Sequence, residues 1–340
     1  MPVRARDLGI RIGEGSPGRR NAISDVDGVL VGHSTLIEGD AVRTGVTVVV
    51  PEETPLFAGC HRLNGNGELT GLEWVRESGL LTTPIGITNT FSVGVVRDAI
   101  AARSADDDAW SLPVVGETFD GFLNDIRGQH VKSAHVDAAF AAASTDVGEG
   151  NVGGGTGMTC HEFKAGIGTA SRTVGPHVVG VLVQANYGLR ERFRVNGVPV
   201  GELIGGRVPK PTSGQDTGSI IGIAATDAPL LPHQCDRLAQ RIGLGVARMG
   251  GIAAHTSGDL FFAFGTGNRG LDAEEGEIPL RMLSDGEITP FYAAVIDATE
   301  EAILNALLAA ETMAGRDGHT AYALPPELLL EVLSREAPAR

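Results

Sequence analysis

Five apolar runs rich in β-branched residues punctuate the chain, at 46–50, 85–96, 178–186, 219–225 and 260–264, each bounded by glycine or proline. They are continuous rather than alternating, the pattern of strands buried on both faces. Between them the period changes. After Pro232, Leu238, Ile242, Val246 and Met249 recur on one helical face, and Gly250 and Gly251 stop the helix. Gly243 and Gly245 lower its propensity but permit close packing. A second helix is predicted over 297–313, with Ile303, Leu304, Leu307 and Leu308 as its stripe and Gly315 beyond its end. A short terminal helix is predicted from Pro326. The polar segment 207–217, RVPKPTSGQDT, reads as a surface loop or linker that delivers the chain to the strand at Ser219.

Composition narrows the class. With 340 residues, 42% hydrophobic and 20% charged, the chain is globular and long enough for one large or two ordinary domains. Its 48 glycines lie scattered among apolar runs, which predicts tight turns and close backbone approach. A formal charge of −15, without a cluster of Lys and Arg, argues against nucleic acid as a partner. No uncharged apolar run reaches the roughly 20 residues of a membrane span, and the N-terminus lacks a signal-peptide core. Cys60, Cys160 and Cys235 have no CxxC spacing, which suits a reducing compartment, so a cytoplasmic location is expected.

The candidate chemistry gathers where loops enter strands. Asp216-Thr217-Gly218-Ser219 sets an open glycine carbonyl before a serine hydroxyl at a strand start. That pair can undergo attack by the hydroxyl, an N-to-O acyl shift and hydrolysis of the ester. The new α-amine, with a pKa of about 7.7–8.0, can then act as base for the same hydroxyl. Read alone, Gly218-Ser219 is an ordinary loop-to-strand junction and the local signal is weak.

In 255–259, HTSGD, extended backbone points Ser257 and Asp259 to one face, where the carboxylate can orient the hydroxyl; the alternative is a turn with Asp259 as a cap. Asn186, ending an apolar run, can donate to an oxyanion or simply form a turn with Tyr187 and Gly188. The glycine-rich stretch 150–157 lacks both the GK[ST] ending of a P-loop and GxGxxG spacing. The histidines show no ligand spacing, so no metal is expected, and a GxSxG elbow is absent.

Taken together, NAISDVDGVLVGH (21–33), RTGVTVVVP (43–51), PIGITNTFSVG (84–94), GETFDGFLND (116–125), EGNVGGGTGM (149–158), VLVQANYG (181–188), GSIIGIAATDAPL (218–230) and SGDLFFAF (257–264) resemble the DmpA/BapA family. That family comprises L-aminopeptidases, D-amino acid esterases and β-peptidyl aminopeptidases. The resemblance implies a four-layer αββα sandwich of the DmpA/ornithine acetyltransferase type. It implies a single domain over 1–340, self-cleaved into 1–218 and 219–340, and a homo-oligomer without cofactor. Ser219 would be the nucleophile, Ser257 and Asp259 its supporting hydroxyl and acid, Asn186 the oxyanion donor and Glu117 the holder of the substrate ammonium.

Phe119 stands in the substrate site where family members are expected to carry tyrosine, and Asp259 where members acting on β-peptides carry glutamate. The implied substrates are short peptides, amino-acid amides or esters. Two other classes remain: an acyltransferase of the ornithine acetyltransferase type, which usually has a threonine nucleophile, and a non-catalytic relative that binds a small anion at 150–157.

Overall fold

The computed structural model describes residues 2–103, 111–211, 218–273 and 275–336; of the predicted linker, 212–217 lie outside the described residues. The chain runs through β1 (Val29–Glu38), β2 (Val42–Pro51), β3 (Leu56–Gly65), α1 (Leu72–Ser78), β4 (Leu80–Leu81), β5 (Ile85–Asn89), α2 (Val93–Ala101), β6 (Val114–Thr118) and α3 (Ser133–Ala141). A tight hairpin of β7 (Thr159–Cys160) and β8 (Phe163–Lys164) precedes the long pair β9 (Ile167–Val174) and β10 (His177–Asn186). Then follow α4 (Val200–Ile204), β11 (Ser219–Thr226), α5 (Pro232–Arg248), β12 (Gly258–Gly265), α6 (Thr289–Leu308) and α7 (Pro326–Glu336).

Two large sheets form the layers, a four-stranded one in the order β1-β2-β5-β6 and a six-stranded one in the order β4-β3-β12-β11-β10-β9. Their strands bury both faces, which is why the apolar runs are continuous, and the period of two sorts each run between two cores. Along β11, Ile221, Ile223 and Ala225 face the other sheet, where they meet Ile85, Ile87 and Val114, while Ile220 and Ala224 face the helices. In β12, Leu260, Phe262 and Phe264 point inward between the sheets and Phe261 and Ala263 outward. Helices α5 and α6 cover the six-stranded sheet through Leu238, Ile242, Val295 and Ile303. Helices α2 and α3 cover the four-stranded one, where Val96, Ile100 and Val136 meet Val46, Val48 and Val115. The result is the expected αββα sandwich.

Both sheets are mixed. β11 and β12 are parallel, joined over α5, and β5 and β6 are parallel, joined over α2; the other pairs are antiparallel.

Two elements differ in their bounds from the sequence expectation. The run 85–96 is not one strand: β5 stops at Asn89, whose side-chain oxygen accepts the Phe91 N–H (3.0 Å) and whose carbonyl accepts the Ser92 N–H (3.0 Å), and α2 starts at Val93. That side-chain turn outcompetes the β propensity around it. Helix α6 begins at Thr289, with Pro290 in its first turn, and ends at Leu308 rather than Met313. Beyond it the Asn151 side chain takes both backbone groups of Glu311, at 2.8 and 3.1 Å, and draws the chain away from the helix.

Glu301, wholly buried in α6, receives Arg172 of β9 at 2.7 Å and Arg6 at 2.9 Å, tying the N-terminal segment and the sheet to the helix. Removing one member of such a buried cluster strands the remaining charge. Glu301→Gln is therefore expected to cost about 3–5 kcal/mol in urea unfolding, and a loss below about 1 kcal/mol would contradict this account.

Candidate active site

The site is built on one row of the six-stranded sheet. Asn186 ends β10, Ser219 begins β11 and Gly258 begins β12, and pairing sets Asn186 opposite Ser219 and Ser219 opposite Gly258. Ser219 is buried. The carbonyl of Gly218 accepts the Gly258 N–H at 3.2 Å, so the peptide before Ser219 is held from the β12 side. Position 218 tolerates only glycine: a Cβ there would fall 2.6 Å from the Tyr187 Cα and nearer still to the Asn186 carbonyl oxygen.

Ser257 and Asp259 do share a face. The Ser257 hydroxyl donates to Asp259 Oδ1 at 2.7 Å, both residues being buried. The turn reading of this segment holds only for its entry, where the Ser257 N–H meets the Ala254 carbonyl at 2.8 Å before β12 begins.

Asn186 is not a surface turn residue. Its Oδ1 accepts the Thr159 N–H at 3.0 Å and its Nδ2 donates to the Phe119 carbonyl at 2.9 Å. An N–H can only give and a carbonyl only take, so the orientation of the amide is fixed.

Glu117, buried near the end of β6 in the other sheet, accepts the Glu68 N–H at 3.0 Å and the Thr90 hydroxyl. Burial pushes its carboxyl above the usual range, and these two donors oppose the shift.

These groups meet at a cavity of about 760 Å³ between the sheet ends, lined by Glu117, Phe119, Asn186, Gly218, Ser219 and His319 among others. Glu68 and Glu162 add further carboxylates to its wall. The Phe119 ring is half-exposed at the rim, and it is its carbonyl that serves Asn186. Ser257 and Asp259 lie on the far side of Gly218, lining a small adjoining cavity of about 10 Å³.

The glycine-rich stretch is spent inside the fold and does not form an anion cradle. The N–H groups of Gly153 and Gly154 go to the hydroxyls of Thr35 and Thr47, at 2.8 and 3.1 Å. Those of Gly155, Thr156 and Met158 go to carbonyls of the same loop, at 2.9 to 3.2 Å. Anion binding at 150–157 is thereby removed as an alternative, because no row of free donors remains.

With this geometry in hand, residues 21–321 match the family described as Peptidase family S58. The chain belongs to peptidase family S58. This S58 peptidase is 46% identical to beta-peptidyl aminopeptidase BapA of Sphingosinicella microcystinivorans, over 98% of this chain and 92% of that protein. A beta-aminopeptidase from Burkholderia sp. superposes with a TM-score of 0.93 at 53% identity, covering 99% of this chain and 100% of the other.

The L-aminopeptidase D-Ala-esterase/amidase from Ochrobactrum anthropi superposes at 0.91 with 42% identity over 98% of both chains. It is described as a prototype for the serine aminopeptidases and a variant of the N-terminal-nucleophile hydrolase fold. The αββα layering of the S58 peptidase is thus that fold, and the protein is a serine aminopeptidase/amidase.

The structure also brings in groups that the motifs did not single out. The Gly258 N–H on the Gly218 carbonyl, the Thr159 N–H on Asn186 and the Glu68 N–H on Glu117 are backbone donors, which leave no side-chain signature. His319 stacks on Phe122, with ring centroids 4.8 Å apart and planes within 5°, and its Nδ1 lies 2.9 Å from the Phe122 carbonyl. Together these two rings form an aromatic wall of the cavity. His319 lies well beyond position 264, where the matching motifs end, and a single histidine in an irregular segment gives no spacing signal.

Proposed function

We propose that this aminopeptidase/amidase matures by cutting itself between Gly218 and Ser219. It then uses Ser219, as a new N-terminus, to release N-terminal residues from short peptides, amino-acid amides or esters. The observation that carries the reading is the Gly218 carbonyl. It precedes a buried serine hydroxyl, accepts the Gly258 N–H at 3.2 Å and borders a cavity that holds a buried carboxylate.

In the uncut chain Ser219 Oγ attacks the Gly218 carbonyl carbon, and its proton passes toward Ser257, whose hydroxyl is already polarised by Asp259. The developing oxyanion remains on the Gly258 N–H. The Ser219 nitrogen leaves as an amine, and water hydrolyses the resulting ester to give fragments 1–218 and 219–340.

In the mature enzyme the same steps act on substrate. The α-amine of Ser219 takes the Oγ proton as Oγ attacks, then protonates the departing amine or alcohol, and water releases the acyl group. Asn186 Nδ2, with one hydrogen on Phe119, gives its second to the reacting carbonyl. Glu117 receives the substrate ammonium, which supports cleavage at an N-terminal residue. These roles use only groups of the chain, without cofactor or metal.

The relatives' names favour hydrolysis over acyl transfer, as does serine rather than threonine at 219. No helix among the described residues is long and apolar enough to cross a membrane. A cytoplasmic location is supported by three cysteines that stay unpaired. Assembly as a homo-oligomer is the state that the family resemblance implies.

Intact mass or denaturing electrophoresis of the purified protein is expected to show two fragments divided at Gly218 and Ser219, and Ser219→Ala a single chain. Full-length wild type after complete maturation, or a Ser219→Ala protein that still splits, sinks the proposal. Ser257→Ala is expected to slow self-cleavage, followed on denaturing gels, by about 10²-fold or more.

The ammonium site predicts a pH effect. Glu117 binds only as carboxylate, and its pKa is raised, so KM for amino-acid p-nitroanilides rises as pH falls through that raised value. Glu117→Gln is expected to raise KM by about tenfold or more, near 1.4 kcal/mol, and to flatten the acid limb of KM. An acid limb unchanged in Glu117→Gln assigns the titration elsewhere.

A further inference from the structure

Lys164, the last residue of β8, is wholly buried beside the site and enters none of the steps above. Its ammonium donates to three backbone carbonyls, those of Ala165 at 2.6 Å, Met158 at 2.8 Å and Gly155 at 3.5 Å. Three donors therefore meet three acceptors. Burial drags this amine down to about 7 from its ordinary value, while the three carbonyl acceptors, which only an ammonium can fill, oppose that shift and favour the charged form.

The Met158 carbonyl and the Thr159 N–H are two ends of one peptide unit. The carbonyl end takes Lys164 at 2.8 Å beside the Ala165 N–H at 3.2 Å, and the N–H end donates to Asn186 Oδ1 at 3.0 Å. A peptide unit is planar, so fixing its carbonyl direction fixes the opposite direction of its N–H. A cation on the carbonyl also polarises the amide and strengthens the N–H as a donor. That bond sets which way the Asn186 amide faces, with Nδ2 toward the Phe119 carbonyl at 2.9 Å and the end of β11.

We propose that Lys164 is a positioning residue: through the Met158–Thr159 peptide it locks the Asn186 amide with Nδ2 turned to the reacting carbonyl. The inference rests on the reading that Asn186 stabilises the oxyanion. Because Asn186 acts mainly as charge develops on oxygen, the effect of Lys164 falls on kcat and leaves KM nearly unmoved.

The test is a double-mutant cycle on the full-length, self-maturing protein, with Lys164→Met and Asn186→Ala singly and together. It is read as kcat and KM on an amino-acid p-nitroanilide. A variant that matures slowly is incubated until denaturing gels show complete cleavage before kcat and KM are read. Lys164→Met is expected to lower kcat about tenfold with KM within about twofold, and to lose less than about twofold further once Asn186 is Ala. Lys164→Gln, which keeps amide donors, is expected to recover part of the rate.

Equal losses in both backgrounds, or a loss carried by KM, make Lys164 a packing residue and overturn the inference. Should the Lys164 variants fail to fold, replacing Thr159 by its α-hydroxy analogue removes the relay N–H and leaves Lys164 intact. The same tenfold fall is then expected, and an unchanged kcat overturns the relay. Failure of the underlying reading looks different: Asn186→Ala is then silent by itself, or the wild type turns over no amide or ester.

Discussion

The pairing of β11 with its two neighbours is the constraint from which the site follows. Because β11 begins at the residue after Gly218, its first rung places Ser219 between Asn186 and Gly258, and the rung before it leaves the Gly218 carbonyl on the Gly258 N–H. A shift of β11 by one residue would turn Ile221 and Ile223 out of the inter-sheet core and Ile220 into it. Burial along β11, apolar from Ile220 to Ala225 apart from Gly222, therefore fixes, at the strand's start, the position of one polar junction. The geometry of the proposed catalytic junction is a by-product of core register.

The second sheet supplies what the first lacks. Gln184 of β10 reaches across to the Thr88 carbonyl and the Thr118 hydroxyl, at 2.9 and 2.8 Å, and so joins the sheets one turn of the pleat from the site. Glu117, beside Thr118, is thereby held at a fixed place relative to Asn186 and Ser219. Residues from both sides of the 218–219 junction interleave, since β11 and β12 lie between β10 and β3. In the proposed mechanism a cut at that junction frees an amine without freeing either piece, because the sheet hydrogen bonds on both flanks of β11 are untouched.

Much of this was legible in the sequence because its signals are local. The continuous apolar runs mark strands buried twice, and Pro232 through Gly251 marks a helix with its stop, as found in α5. The side-chain members of the site could be named by resemblance to a family, and the structure brings Ser219, Asn186, Glu117 and Phe119 to one cavity, with Ser257 and Asp259 behind it. What stayed hidden was of two kinds. The end of β5 depends on the side chain of Asn89 capturing its own turn, and that of α6 on Asn151 from a distant loop, so propensity read along the chain overshoots both. The backbone donors at Gly258 and Thr159 have no residue-type signature, since any non-proline residue offers the same N–H.

Phe119 illustrates how the structure redistributes a role. A tyrosine expected at this position would have added a hydroxyl, and its replacement by phenylalanine suggests a weakened site when judged on side chains alone. Yet the position contributes through its carbonyl, which any residue supplies, and the ring itself sits half in solvent at the cavity rim. The anchoring of Asn186 is consequently independent of what side chain stands at 119. In the proposed mechanism, charge on the reacting oxygen then falls to the Gly258 N–H during self-cleavage and to the Asn186 amide during turnover. Both are held by backbone contacts set in the core, one through strand register and the other through the peptide that Lys164 grips.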